Sequence, residues 1–311
     1  MGNVFHKVME HLAIAKLKEQ ETGQKGGWDI GDEYIGEFIP DDIYDKKNIT
    51  KLCKKSYEYH SSISEQEWSD KDLIKAIGWA NAAVDFQNGA FDPRNREVVA
   101  VEKFFDFEIE KEWAKYDYKI GDKRIQGNLA LKGTIDLILK VDEDHYEVLD
   151  YKTGKRSDFN TGEEKTLEKL QKDPQLLLYF FACRKIFPHI KYFDFTIYYI
   201  NDGGPFTVCF DDSSYALAEE LIKNRFEEMR DCEKPRLLVP KQEDREKKGN
   251  WKCLYCCSFH KEKMKGTDLS ICEFFKREIE QKGIEKVTEE HIDWSKFGTY
   301  GDGGGRKSEG T

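Results

Sequence analysis

No run of apolar residues in this chain is long enough to cross a membrane. The longest, Leu176 to Cys183, falls far short of the ~20 residues that a spanning helix needs. The N-terminus also lacks a basic region followed by an apolar core, so no secretory signal is read and a cytoplasmic setting is expected, or a host's cytoplasm for a phage-encoded protein. Positive charge is not in excess: 50 Lys and Arg stand against 60 Asp and Glu, for a formal net charge of -10. That excludes a surface basic all over, but it leaves room for a local channel that binds phosphates. There is no internal repeat and no Gly-x-x-x-x-Gly-Lys phosphate loop, so any translocation along nucleic acid would come from another protein.

A disulfide framework is absent as well. A chain of 311 residues buries a sizeable core without staples, and its eight cysteines read as thiols or metal ligands. Cys183 lies in an apolar helical run and Cys209 in an apolar strand-like run, so both read as buried core residues. Cys253, Cys256, Cys257 and Cys272 form a separate group.

Val4, Phe5, Val8, Leu12 and Leu17 recur at helical spacing and predict an amphipathic helix over residues 3–20, with a second over 71–86. Strand-like runs follow at 97–105, 124–141 with a break near Gly133, and 146–152. A helical run over 167–187, interrupted or kinked near Pro174, precedes strands at 192–200 and 205–210 and a helix over 214–229. This order predicts a mixed α/β fold, a central sheet flanked by helices. Residues 233–250 are charged and irregular, and 298–311 are Gly-rich, polar and expected to be disordered.

The chemistry concentrates in residues 133–154. Side chains alternate along a strand, so Asp150 and Lys152 point one way and Tyr151 the other. With a turn at Asp142 to Asp144, Val141 opposes His145, and counting outward sets Asp136 opposite Asp150. Opposed carboxylates repel unless a cation lies between them. An exposed hairpin would also place charges on strands, in a chain with 35% charged residues. The flanking Leu137, Ile138, Leu139, Val148 and Leu149 favour instead a pair buried within a sheet, where a carboxylate needs a reason to be present.

Four motifs in order carry a resemblance to a known family. Gly2-Asn-Val-Phe-His6, Gly133-Thr-Ile-Asp136, Asp150-Tyr-Lys152-Thr-Gly154 and Gln175-Leu-Leu-Leu-Tyr179 resemble the Gly-x-x-x-His, Gly-x-x-Asp, Asp-x-Lys and Gln-x-x-x-Tyr motifs of RecB-family nucleases, members of the PD-(D/E)XK superfamily. The resemblance implies the restriction-endonuclease-like α/β fold and phosphodiester hydrolysis with Mg²⁺ or Mn²⁺. It implies metal ligation by His6, Asp136, Asp150 and the backbone carbonyl of Tyr151. Lys152 would orient or deprotonate the attacking water or stabilise developing charge, while Gln175 and Tyr179 would line the active site. Glu102 lies on an upstream strand and reads as structural once His6 takes the ligand role.

Trp251-Lys-Cys253-Leu-Tyr-Cys256-Cys257, closing with Cys272, resembles the C-terminal iron-sulfur staple of RecB-like and CRISPR-associated nucleases. That pattern uses one further cysteine N-terminal to the nuclease core. Here the chain begins at the Gly-x-x-x-His motif, as an N-terminally truncated relative would, and only Cys53 precedes the catalytic strands. A [4Fe-4S] cluster on Cys253, Cys256 and Cys272 with Cys53 or Cys257, Zn²⁺ with Cys257 or His260 as fourth ligand, and ordinary thiols all stay open. Arg245, Lys247, Lys248, Lys252, Lys261, Lys263 and Lys265 could track a phosphate backbone, with Trp251 and Tyr255 stacking on bases, or form a solvated loop.

The expectation is a nuclease core at 1–232, a Cys-rich appendage at 233–297 and a tail at 298–311. The expected substrate is DNA, single-stranded or with free ends, in recombination, repair or phage replication. The alternative is a DNA-binding or assembly subunit of a helicase-nuclease or CRISPR adaptation complex.

Overall fold

The computed structural model describes residues 2–64, 67–120, 123–157, 162–231, 263 and 265–291. The chain forms two compact units. One comprises Met1–Glu108, Ala130–Ser157 and Glu164–Ile222, the other Ile109–Leu129, Asp158–Glu163 and Lys223–Thr311.

In the first unit, α1 (Gly2–Thr22) buries Val4, Phe5, Val8, Met9 and Leu12 on one helical stripe. α2 (Lys47–Ser62) buries Ile49, Leu52 and Cys53. α3 (Asp70–Asp85) opens at Ser69, whose backbone N–H donates to the Asp72 carboxylate at 2.9 Å. The sheet strand β1 (Glu97–Glu108) follows. Strands β2 (Lys115–Ile120) and β3 (Lys123–Asn128) pair antiparallel in the second unit. The chain then returns to the sheet with β4 (Ala130–Asp142) and β5 (His145–Lys152). Helices α4 (Leu167–Gln171) and α5 (Pro174–Ile186) form the crossover that a parallel pair requires, and β6 (Tyr192–Tyr199) and β7 (Gly204–Phe210) complete the layer. α6 (Asp212–Arg230) follows.

The strand order is β1-β4-β5-β6-β7, with β5 and β6 parallel and the other neighbours antiparallel. Leu137, Leu139, Leu149, Tyr151 and Tyr198 share a core with residues of α1, α2 and α3. Phe180 of α5 packs instead on Phe193, Phe195 and Phe210, at ring separations of 5.3 to 6.5 Å. β4 and β5 therefore lie between apolar layers, which is why their flanking residues are so apolar.

Three expectations are corrected. The break expected near Gly133 falls at Leu129, and Gly133 lies within β4, where a Cβ would stand 2.7 Å from Cζ of Phe105 on the neighbouring strand. His145 pairs with Asp142 rather than Val141, because β4 carries an irregularity between Lys140 and Asp142. Cys209 is exposed rather than buried, because β7 is an edge strand; Cys183 is buried as expected. The helical run near Pro174 is two helices, with Asp173 capping the second and Pro174 in its first turn.

In the second unit, Tyr116 of β2 lies 6.5 Å from the ring of Phe226. α7 (Ile271–Lys282) buries Cys272 and is followed by α8 (Ile284–His291). No described helix is long and apolar enough to cross a membrane.

Candidate active site

The register of β4 and β5 brings the acidic residues together. Ile138 pairs with Val148, and the same register carried two residues further sets Asp136 opposite Asp150. The extra residue near Val141 offsets the tighter turn, so the facing of the carboxylates matches the sequence count although the turn does not. On the other side of β4, Val101 pairs with Leu137 and Lys103 with Ile135, which sets Glu102 opposite Asp136.

α1 supplies the third donor. A Cβ at Gly2 would stand 3.1 Å from Oγ1 of Thr153, so glycine lets the helix start against the end of β5. One turn on, His6 offers a ring nitrogen within 4.8 Å of carboxylate oxygens of both Asp136 and Asp150, which themselves lie that close together. Burial lowers the imidazole below its ordinary range, with Lys152 acting in the same direction and Asp136 against it. The ring is thus neutral near pH 7, as a metal ligand must be.

Asp150 is pushed up to about 6, chiefly by desolvation and also by Asp136, with Lys152 and Lys165 opposing. Its Oδ2 lies 2.7 Å from Nζ of Lys152, while its Oδ1 is buried without a hydrogen-bond partner. A largely buried carboxylate with an orphaned oxygen, facing a second carboxylate and a neutral imidazole, fits a divalent cation. Lys152 is half-buried. Burial acts to lower it, but Asp150 and then Asp136 and Tyr179 outweigh burial and raise it, so it stays an ammonium. Tyr151 turns its side chain away: it is buried beside Phe5, and its hydroxyl donates to the Phe91 carbonyl at 2.6 Å. Only its backbone is left for the ligand role.

Gln175 and Tyr179 share a face of α5, with Nε2 of Gln175 3.2 Å from Oη of Tyr179. Tyr179 lies close enough to act on the Lys152 charge. All the residues expected in the site from His6 to Tyr179 therefore fall in the first unit, with Asp136 at the middle of β4 and Asp150 and Lys152 at the end of β5.

Glu10, Glu102 and Lys165 were not in the expected set. Glu10 and Glu102 line one cavity with His6, Met9, Ala13, Asp136 and Tyr151. Glu10 follows His6 at i+4, a spacing that puts both on one helix face. Glu102 is pushed up to about 7 by partial desolvation, then by Glu10 and Asp136, against Lys7. Its backbone φ of 47° is left-handed, strained for a residue with a Cβ. Glu102 thus faces a cavity that two other carboxylates line. Lys165 reaches Asp173 at 3.1 Å and favours the ionised form of Asp150.

Cys253, Cys256 and Cys257 lie outside the described residues, as do Trp251, Tyr255, His260 and most of the basic segment; Lys263 and Lys265 are exposed.

A family model described as the PD-(D/E)XK nuclease superfamily matches residues 1–260. No curated protein and no solved structure matches the chain.

Proposed function

The chain belongs to the PD-(D/E)XK nuclease superfamily, and from that membership we propose that it is a divalent-metal-dependent deoxyribonuclease acting as an exonuclease on single-stranded DNA or DNA ends. The observation that carries the reading is the approach of His6, Asp136 and Asp150 to within 4.8 Å of one another, with the Lys152 ammonium 2.7 Å from Asp150. These three side chains would hold Mg²⁺ or Mn²⁺, two carboxylates and one imidazole suiting a hard cation with some leaning to Mn²⁺. Bound there, the cation would offset the charge that builds on the phosphate and acidify nearby water.

Lys152 places a fixed positive charge beside the same carboxylate, where it can orient water for attack or stabilise the phosphoryl oxygens. Tyr179, which acts on the ammonium, and Gln175, which donates to Tyr179, would contact the scissile strand. Recombination, repair or phage replication is the proposed setting. For Cys253, Cys256, Cys257 and Cys272 a [4Fe-4S] cluster is proposed, with Zn²⁺ as the alternative; iron and sulfide analysis of the purified protein separates the two.

The test is cleavage of end-labelled single-stranded, linear duplex and closed circular DNA with Mg²⁺ or Mn²⁺, beside EDTA controls and Lys152→Ala. Metal-dependent cutting of the first two, lost in the variant, is expected. A folded protein that binds DNA but cuts none of the three with either metal would sink the nuclease reading in favour of an assembly subunit.

A further inference from the structure

Away from Asp150 and Lys152, at its first residue, β5 carries a different set of donors. In the parallel ladder Glu147 pairs with Asp194, and in the antiparallel ladder Asp194 pairs with Cys209. His145 precedes Glu147 by two positions, so it projects from the same face of the sheet. The three strands thus bring an imidazole, a carboxylate and a thiol together, with one donor atom of each within 4.8 Å of the others.

The polar contacts among them are incomplete. His145 Nε2 lies 3.1 Å from Oδ2 of Asp194, yet it is buried and has no partner in hydrogen-bonding geometry. Partial burial and then Asp194, which accepts a hydrogen bond from the thiol, push Cys209 up to about 11, so the group is a protonated thiol at neutral pH. Cys209 is exposed on the edge strand, which leaves the cluster open to ions from solvent. Another His-carboxylate group in this unit, Glu10, His11 and Asp32, already holds a cation: Nζ of Lys7 sits 2.7 Å from Glu10 and 3.2 Å from Asp32. Among the described residues, no side-chain cation has such a place among His145, Asp194 and Cys209.

We propose that His145, Asp194 and Cys209 form a Zn²⁺ site, separate from the catalytic cluster, that ties β5, β6 and β7 together. A thiolate and an imidazole select Zn²⁺ over Mg²⁺, and one carboxylate completes three protein donors with the fourth position left to water. Binding exchanges the thiol proton for the metal: the S–H bond breaks, the S–Zn bond forms, and one proton is released to solvent. Along the strand, His145 is about 17 Å from Asp150 at ~3.3 Å per residue, so the two sites do not share a ligand.

Alkylation of the full chain, read at the Cys209 peptide by mass spectrometry, tests this without interference from the other cysteines. Zn²⁺ in small excess is expected to slow Cys209 alkylation roughly tenfold or more, since a metal-held thiolate is a poor nucleophile. His145→Ala and Asp194→Asn should each remove most of that protection. An unchanged rate with Zn²⁺ overturns the site, and so does protection that persists in both variants, which would place the ion on the thiol alone. Should either variant fail to fold, the Co²⁺ difference spectrum between wild type and Cys209→Ser decides. A thiolate-to-cobalt band present only with Cys209 supports the site, and its absence overturns it. DNA cleavage plays no part in the readout, so this proposal stands or falls apart from the nuclease reading.

Discussion

The two ends of β5 carry two donor sets of opposite character. At the end of the strand, Asp150 and Lys152 meet Asp136 from the neighbouring antiparallel strand and His6 from the first helix, an oxygen-rich group beside a fixed ammonium. At its start, His145 meets Asp194 and Cys209, a softer set with no ammonium in its ion pairs among the described residues. Strand alternation puts His145 on the opposite face from Asp150 and Lys152. One strand can therefore present a hard-cation site and a thiophilic site without either contaminating the other. The donor chemistry, rather than the scaffold, would sort the ions bound at two such sites.

Breaking the oxygen-rich end alone should give the largest effect. Asp136→Asn removes one of two facing carboxylates, and DNA cleavage with Mg²⁺ is expected to fall about 100-fold or more, as several kcal/mol of charge stabilisation is lost. The same variant should keep the Zn²⁺ protection of Cys209 at the wild-type level, measured in parallel. Loss of both together would mean that the two ends are one structural unit and not two sites.

Next in size is a change to the scaffold that aims the carboxylates. Gly133→Ala would drive a Cβ to 2.7 Å from the buried Phe105 ring. Overpacking of this kind costs about 1–3 kcal/mol, read from the urea midpoint. Gly2→Ala, where the nearest atom is the Thr153 hydroxyl at 3.1 Å, should cost less. Equal costs would undo the account of why each motif opens on glycine.

The same contrast governs what could be read from the sequence. The oxygen-rich end was legible because its donors come in short motifs with their reasons nearby: the strand period links Asp150 to Lys152, and a short hairpin links both to Asp136. The count survived a misplaced turn because the irregularity before Asp142 compensated for it. The other end was illegible, since His145, Asp194 and Cys209 stand on three strands and no local spacing joins them. Cys209 reads as core in an apolar run, and only the strand order makes β7 an edge. α2 gave no clear signal either, because its buried stripe includes Asn48 and Ser56 beside Ile49, Leu52 and Cys53 in a Lys-rich segment. Glu102 reads as structural in the sequence because neither its left-handed backbone nor its facing of Asp136 has a sequence signature.

Glu102 gives the smallest and most selective test of the oxygen-rich end. Its carboxyl stands at about 7 in the folded, metal-free protein against an ordinary 4.5, so the folded state holds that proton more tightly than the unfolded chain does. Its contribution to stability is complete below about pH 4.5 and is lost as the pH rises through 7. In EDTA, the wild-type urea midpoint is therefore expected to fall between pH 5 and 8 by more than that of Glu102→Gln, which has no proton to lose. The side chain is partly solvent-exposed, so the difference should be modest. Adding Mg²⁺ should shrink it further, since a cation held by His6, Asp136 and Asp150 would offset the Asp136 charge that acts on Glu102 and favour the ionised carboxyl. A wild-type and variant pair with the same pH slope would remove Glu102 from the electrostatics of the site and leave its strained backbone without a functional account.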